Sequence, residues 1–312
     1  MISVLLPAGS PETCHPITST RSLESFPVAN MPLRDFLASR LETQGLEVGQ
    51  APHPGPLSLY LVADTWLSDG SIRQLFQTRS PSVIKDTNGH PLAWVGKSTS
   101  PPEDAISLEL DGNSFRILFP WDLLRVNEMA VEQTLGNGLL GNAPPGTEID
   151  GRLRVGHGTR LLPGVYVDGD VIIGEHCTIG PNCYLRGRTS IGDGCKIGQA
   201  VEIKNSVILA GTTIGHLSYC GDSIVCENVN FGAGTITANF RHDGQNHQSM
   251  VQGRLTDTGR RKFGSVVGDG VHTGIHTSIY PGRKLWPQAS TRPGEIVRYD
   301  VQTTDGDPSQ YP

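Results

Sequence analysis

The chain of 312 residues carries 25 Lys and Arg against 31 Asp and Glu, a formal net charge of −6, with 37% hydrophobic and 18% charged residues. This composition predicts a soluble globular protein of two domains and, with no Lys- and Arg-rich run, argues against a nucleic-acid partner. No apolar run approaches the roughly 18 residues of a membrane span, the opening MISVLLPAGSPE has no basic leader region, and the six scattered cysteines point to a reduced, cytoplasmic protein.

The first 135 residues mix strand and helix signals. ISVLLPAG, from Ile2, reads as a buried strand running into a glycine loop. Pro32 to Glu42 reads as a helix: Leu33, Phe36, Leu37 and Leu41 make one apolar face, Pro32 suits the first turn and Gly45 the stop. LSLYLVAD at 57–64 reads as a second buried strand, and Asn88-Gly89 between VIK and AWV as a hairpin turn. PWDLLRVNEMAVEQTL at 120–135 reads as a closing helix. GNGLLGNAPPG opens a linker over 136–148.

Stepping by six from Ile149 meets Val155, Leu161, Val167, Ile173, Ile179, Leu185, Ile191, Ile197, Ile203 and Leu209, all aliphatic. Four residues after many of them stands a small residue, such as Val165, Cys177, Cys183 or Cys195. A period of six is neither that of a helix nor that of a plain strand. Six residues make one flat side and a turn, three sides close a triangular coil of about eighteen, and stacked coils bury the aliphatic and small positions in one core. The predicted fold is a left-handed parallel β-helix over 149–297, behind a small α/β domain over 1–135. The 38 glycines and 22 prolines are what a chain that turns every few residues uses. The inward cysteines read as packed thiols. Val225, Phe231, Val267, Ile279, Leu285 and Val297 resume the rhythm, with Thr273 and Thr291 in phase but polar. The rhythm lapses at 210–224 and 240–262, and function is sought there, because departures from a regular coil need another reason. Residues 298–312 read as a flexible tail.

Arg186 and Lys204 are 18 residues apart, one coil, and each follows an inward aliphatic residue. Stacked strands place them about 4.8 Å apart. Two cations at that spacing repel unless an anion lies between them, and a phosphate suits, with Arg as a fork and Lys as a point charge. A solvated surface pair is the alternative. On the repulsion argument, removing either cation leaves the ligand-free protein as stable as before or more so. His272 and His276 lack the spacing and surroundings of a His-rich metal site.

The first lapse reads TTIGHLSYCGD and leads into ENVNFGAGTITANF, with YLRG at 184–187 and EIKNS at 202–206. In this order, within hexapeptide repeats, these blocks closely resemble the acetyltransferase domain of the bifunctional enzyme that makes UDP-N-acetylglucosamine, a glucosamine-1-phosphate N-acetyltransferase. The resemblance covers about residues 149–297. It implies His216 as general base, a role that a neutral imidazole near pH 7 suits. It implies Tyr219, Asn230 and Asn239 lining the sugar and acyl-donor site with Glu202 nearby, and Arg186, Lys204 and Lys262 on the sugar phosphate. Ala233 would lie along the path of the co-substrate acetyl-CoA, with no obligatory metal for acetyl transfer. It also implies a homotrimer with sites shared between subunits. The loop 240–262, long and polar, is expected to reach a neighbouring subunit; its end, DTGRRKFGSVVGDGVHTGI, resembles the long-loop branch of sugar-phosphate nucleotidyltransferases that carry the same β-helix. The sequence departs from the acetyltransferase pattern at Phe240, where Tyr is usual, and at Ile275 and Pro293, where small residues are usual. RYDVQTTDGDPSQYP has no match to the family's basic acetyl-CoA contact.

LPAG near the start, HPITSTR at 15–21, FPVANMPLRDFL at 26–37, VAD at 62–64 and PWDLLRVNE at 120–128 resemble a shortened sugar-1-phosphate nucleotidyltransferase. In that family the first loop runs G-x-G-T-R. Here Ser10, Pro11, Glu12 and Thr13 follow Gly9. Pro11 has no N–H to offer a phosphate, Thr13 stands for the catalytic Arg, and Ser22-Leu23 for the usual Pro-Lys. Asp64 aligns with a metal-binding Asp, but one carboxylate does not hold Mg²⁺ and a triphosphate. The domain reads as degenerate. Three functions compete: acetyl-CoA-dependent N-acetylation of an amino-sugar 1-phosphate, a non-catalytic trimeric scaffold or regulator that binds a nucleotide sugar, and, more weakly, residual nucleotidyl transfer. The joint presence of Arg186, Lys204, His216, Tyr219, Asn230 and Lys262 favours the first, since a scaffold has no need of all six.

Overall fold

The computed structural model describes residues 2–49, 57–78, 80–135 and 145–302. Most of the expected linker and tail therefore lies outside the described residues. By internal contacts the chain forms two compact units. One comprises Met1–Pro11, Arg21–Pro27 and Met31–Asp122, the other Glu12–Thr20, Val28–Asn30 and Leu123–Pro312.

The first unit is built on a six-stranded sheet. Ile2–Leu6 lies between Glu47–Gly49 and Ser58–Val62, both parallel to it. Pro91–Gly96 and Ser82–Lys85 follow as an antiparallel pair, and Ile106–Leu108 closes the edge. Asn88-Gly89 makes the turn between the pair: Gly89 has φ +82°, and the Asp86 carboxylate accepts from the Asn88 N–H at 2.8 Å. One sheet face packs Val4, Tyr60, Val83 and Trp94, with the Tyr60 and Trp94 rings stacked at 5.5 Å. The helix Leu33–Thr43 buries Leu33, Phe36, Leu37 and Leu41, the face its spacing predicts. A further helix, Asp69–Gln77, starts where the Ser68 side chain accepts from the Ser71 N–H at 3.0 Å.

The second unit is a left-handed parallel β-helix of about eight turns. Its interior is made of ladders of aliphatic residues. Val155, Ile173, Ile191, Ile208, Val225, Val267 and Leu285 pair in succession along one ladder. Leu161, Ile179, Ile197, Ile214 and Phe231 pair along another. The inward threonines satisfy one another, Thr235 with Thr273 and Thr277 with Thr291, each pair at 2.7 Å. All six cysteines are buried free thiols.

The expected lapse at 210–224 is a change of phase, and the coil continues through it. Tyr184 pairs with Glu202, 18 residues on, but Ser190 pairs with Val207 and Glu202 with Tyr219, 17 residues on. One residue is missing at each of two successive corners. Ile208, and not Leu209, therefore takes the ladder position, although Leu209 is also buried. Those corners are Asn205 and Asp222, at φ 47° and 49°, below Gly187 at φ 70°. A left-handed corner excludes most side chains and favours Gly, Asn and Asp. The corner positions thus bring a carboxamide and a carboxylate to the coil edge. The true insertion is 240–262, closed at its base by a bridge between Phe240 and Lys262. It contains the hairpin Gln248–Val251 and Arg254–Asp257, turned at Gln252-Gly253 with both φ values positive.

Candidate active site

Outward residues on the strands Tyr184–Ile191, Glu202–Lys204 and Tyr219–Gly221 stack in register, with Arg186 opposite Lys204. The stacking is as expected, but neither cation stands alone. Arg186 pairs with Glu202 at 2.6 Å, and Lys204 with Asp222 at 2.6 Å. The expectation that either cation can be removed without loss rests on repulsion alone, whereas each cation neutralises a carboxylate from the next coil. The Arg186–Glu202 side chains are about one-third exposed, whereas Asp222 is 4% exposed.

Asp222 links the site together. It accepts from Lys204, from Asn205 Nδ2 at 3.1 Å and from Asn239 Nδ2 at 2.5 Å. Asn239 Nδ2 also donates to the Tyr219 hydroxyl at 2.9 Å. Burial and the Asp222 carboxylate push the Tyr219 hydroxyl up to about 12, so it stays protonated at neutral pH. Any side chain at Gly221 would run into the Tyr219 hydroxyl and Asn239, so the glycine is what lets them meet. Asp222 lies within GHLSYCGD, where the sequence alone assigns it no role. The available signal is an Asp two residues after the inward Cys220, at a left-handed corner.

His216 ends the strand Thr213–His216 on the adjoining face and is exposed. It is separated from Tyr219 by the corner at Leu217, at φ 50°, and by the buried Ser218, whose hydroxyl donates to the His216 carbonyl at 2.8 Å. The next coil brings Ala233 beside it, since the Gly234 N–H donates to the His216 carbonyl and the His276 N–H to the Ala233 carbonyl. A Cβ added at Gly215 would stand in open space. With the short side chain of Ala233, this leaves the coil edge beside His216 open. Ile275, one coil beyond Ala233, is 51% exposed. Asn230 is exposed and begins the strand that leads to Ala233, and Lys262 is exposed at the base of the insertion, bridged to Phe240, the residue after Asn239.

Part of the insertion packs on its own coil. Ser249 is fully buried and donates to the Gly282 carbonyl at 2.8 Å, and Arg283 donates to the Gln248 carbonyl at 3.2 Å. His247, 2% exposed, has Nε2 2.9 Å from the Asn239 carbonyl, and burial holds its pKa below the usual histidine value. Glu128 bonds Asn205 at 2.7 Å and pairs with Arg260. The insertion thus buttresses Asn239 through His247 and, by way of Arg260 and Glu128, the corner at Asn205.

In the first unit Asp64 is 4% exposed and accepts from Arg116 Nε at 2.7 Å and from Thr65 Oγ1 at 3.1 Å. Its carboxylate is held in a structural pair. The signature loop is also divided: residues up to Pro11 belong to the first unit, while Glu12–Thr20 belongs to the second.

Residues 153–285 match the family described as GMPPB C-terminal domain. A bifunctional sugar-1-phosphate nucleotidylyltransferase/acetyltransferase from Sulfurisphaera tokodaii is 41% identical over 62% of this chain and 48% of its own. A bifunctional protein GlmU from Methanococcus vannielii is 36% identical over 62% and 47%, and one from Methanococcus aeolicus is 32% identical over 82% and 61%. The chain spans about half the length of the curated relatives it matches. Through its β-helix and into its α/β unit, the chain is similar to the GlmU-type fusions of a sugar-1-phosphate nucleotidyltransferase with an acetyltransferase.

Proposed function

We propose that the β-helix transfers an acetyl group from acetyl-CoA to the amine of an amino-sugar 1-phosphate, glucosamine-1-phosphate being the first candidate. The observation that carries this reading is the linked column Arg186–Glu202 and Lys204–Asp222–Asn239–Tyr219, one corner away from His216. It offers cations for a phosphate, carboxylate and amide groups for hydroxyls, and an imidazole for a proton. Arg186 is the cation best able to turn to a phosphate, because its pair with Glu202 is the more exposed of the two.

The acceptor amine arrives as an ammonium and loses one proton to solvent. The free amine attacks the thioester carbonyl. His216 takes the second proton as the C–N bond forms, and collapse of the tetrahedral oxyanion breaks the C–S bond and expels the CoA thiolate, which His216 reprotonates. The site is proposed to be completed in a homotrimer, with Asn230 and Lys262 contributing from a neighbouring subunit.

The test is release of free CoA from acetyl-CoA in the presence of glucosamine-1-phosphate or glucosamine. The phosphate should be the far better acceptor. His216→Ala should lower turnover about 100- to 10,000-fold with the fold intact. A folded parent that acetylates no amino-sugar phosphate would leave the scaffold reading in its place.

A further inference from the structure

At the end of the β-helix unit away from the column above, a cleft of about 270 Å³ is lined by Glu12, His15, Gln252, Lys284, Trp286 and Asp300 among others. All of them belong to the second unit. Its walls are fixed. Thr20 bonds Asp269 at 2.5 Å, Gln252 Nε2 donates to Glu12 at 3.1 Å, and the His15 ring meets the Trp286 ring edge-on at 5.4 Å. The Lys284 backbone N–H donates to Asp300 Oδ1 at 3.0 Å.

Two donors in this wall have no acceptor among the described residues. Lys284 is 3% exposed, yet its ammonium makes no hydrogen bond or ion pair there. The Trp286 indole N–H is likewise buried and unpartnered. Buried donors are satisfied in nearly all folded proteins, so the orphaned indole N–H, in the same wall as an ammonium that makes no hydrogen bond, points to a missing acceptor. Burial also holds the Lys284 ammonium below, and the Asp300 carboxyl above, their usual ranges. The same wall presents acceptors in Glu12 and Asp300. Two carboxylates against one ammonium disfavour a phosphate or other dianion. A hydroxyl both donates and accepts, so a polyol can serve all of these groups at once.

We propose that this cleft binds a monosaccharide, with one oxygen accepting from Lys284 Nζ and another from the Trp286 indole N–H. Its other hydroxyls donate to Glu12 and Asp300. The site is separate from the proposed acetyl-transfer column and does not depend on it.

The experiment is calorimetric titration of the full chain with glucose, mannose and N-acetylglucosamine, and with inorganic phosphate for comparison. At least one sugar should bind once per chain. Trp286→Phe, which keeps a ring and loses the N–H, and Lys284→Met should each weaken that binding about ten-fold. Trp286→Phe should leave CoA release at the β-helix column unchanged, which separates this site from the transferase reading. Should Lys284→Met fail to fold, Trp286→Phe alone decides. No sugar binding at about 10 mM, binding of phosphate alone, or parental affinity in the folded variants would overturn the proposal.

Discussion

Lys204 and Asp222 meet at 2.6 Å with the carboxylate almost wholly buried, and this sets what a substitution at either does. Breaking a buried pair leaves an uncompensated charge, which costs more than the pair contributes. Lys204→Ala should therefore destabilise the protein by about 3 kcal/mol, read as a lowered midpoint in urea. Arg186→Ala removes a pair about one-third exposed on both sides, worth roughly 0–1 kcal/mol, and should act mainly by raising the acceptor KM. Equal midpoints for the two variants would contradict this. Sequence spacing placed the two cations in one column, because a coil period is a local property. It did not show their carboxylates, since Asp222 reaches Lys204 only after the one-residue deletions turn it inward at the corner.

The inserted segment is an element with its own anchor. His247 is buried beneath it, against the Asn239 carbonyl, with a pKa lowered from 6.5 by burial. The unfolded chain therefore binds a proton at a higher pH than the folded one. This contribution to stability is complete above about pH 6.5 and declines as the pH falls toward the depressed folded value, below which no further change comes from this group. Parent protein should lose more thermal stability between pH 7.5 and 5.5 than His247→Asn does, by differential scanning. Equal losses would show that the buried imidazole is not linked to folding. The hairpin strands of this element alternate irregularly, and their length alone suggested a reach toward another subunit. Within the chain, buried Ser249 ties the hairpin to Gly282.

As a whole molecule, the chain leaves Ile236, Phe240, Ile275, Tyr280 and Ile296 exposed on its later coils, with Ile236 and Ile296 on one strand ladder. Repeated apolar side chains on one solenoid surface suit a partner of the same kind. We propose a cyclic homotrimer, and light scattering should return three chains per particle at micromolar concentration; a stable monomer would rule this assembly out. The first unit is proposed to transfer no nucleotide. Pro11 and Thr13 stand in its loop, Asp64 is held by Arg116, and Glu12–Thr20 belongs to the β-helix unit. Incubation with UTP, Mg²⁺ and sugar 1-phosphates should release no pyrophosphate above background. Release at about 1 per second or faster would show the loop to be competent.

The sequence by itself determined the β-helix, its inward ladders, the packed cysteines and the first unit's main strands and helices, because each follows from a period or turn signal repeated along a short stretch of chain. It also contained the blocks around His216 and Tyr219. Tertiary structure decided the rest. Ile208 displaced Leu209 from the ladder because a corner was one residue short, and register between coils is a long-range property. Asp222 became the hub of the site because a left-handed corner aimed it. Asp64 was committed to Arg116, 52 residues away. Lys284 and Trp286 came together with Glu12 and Asp300 only because the segment 12–20 belongs with the last coils. Pairings between residues far apart in sequence leave no local pattern, so they emerge only once the coils are stacked.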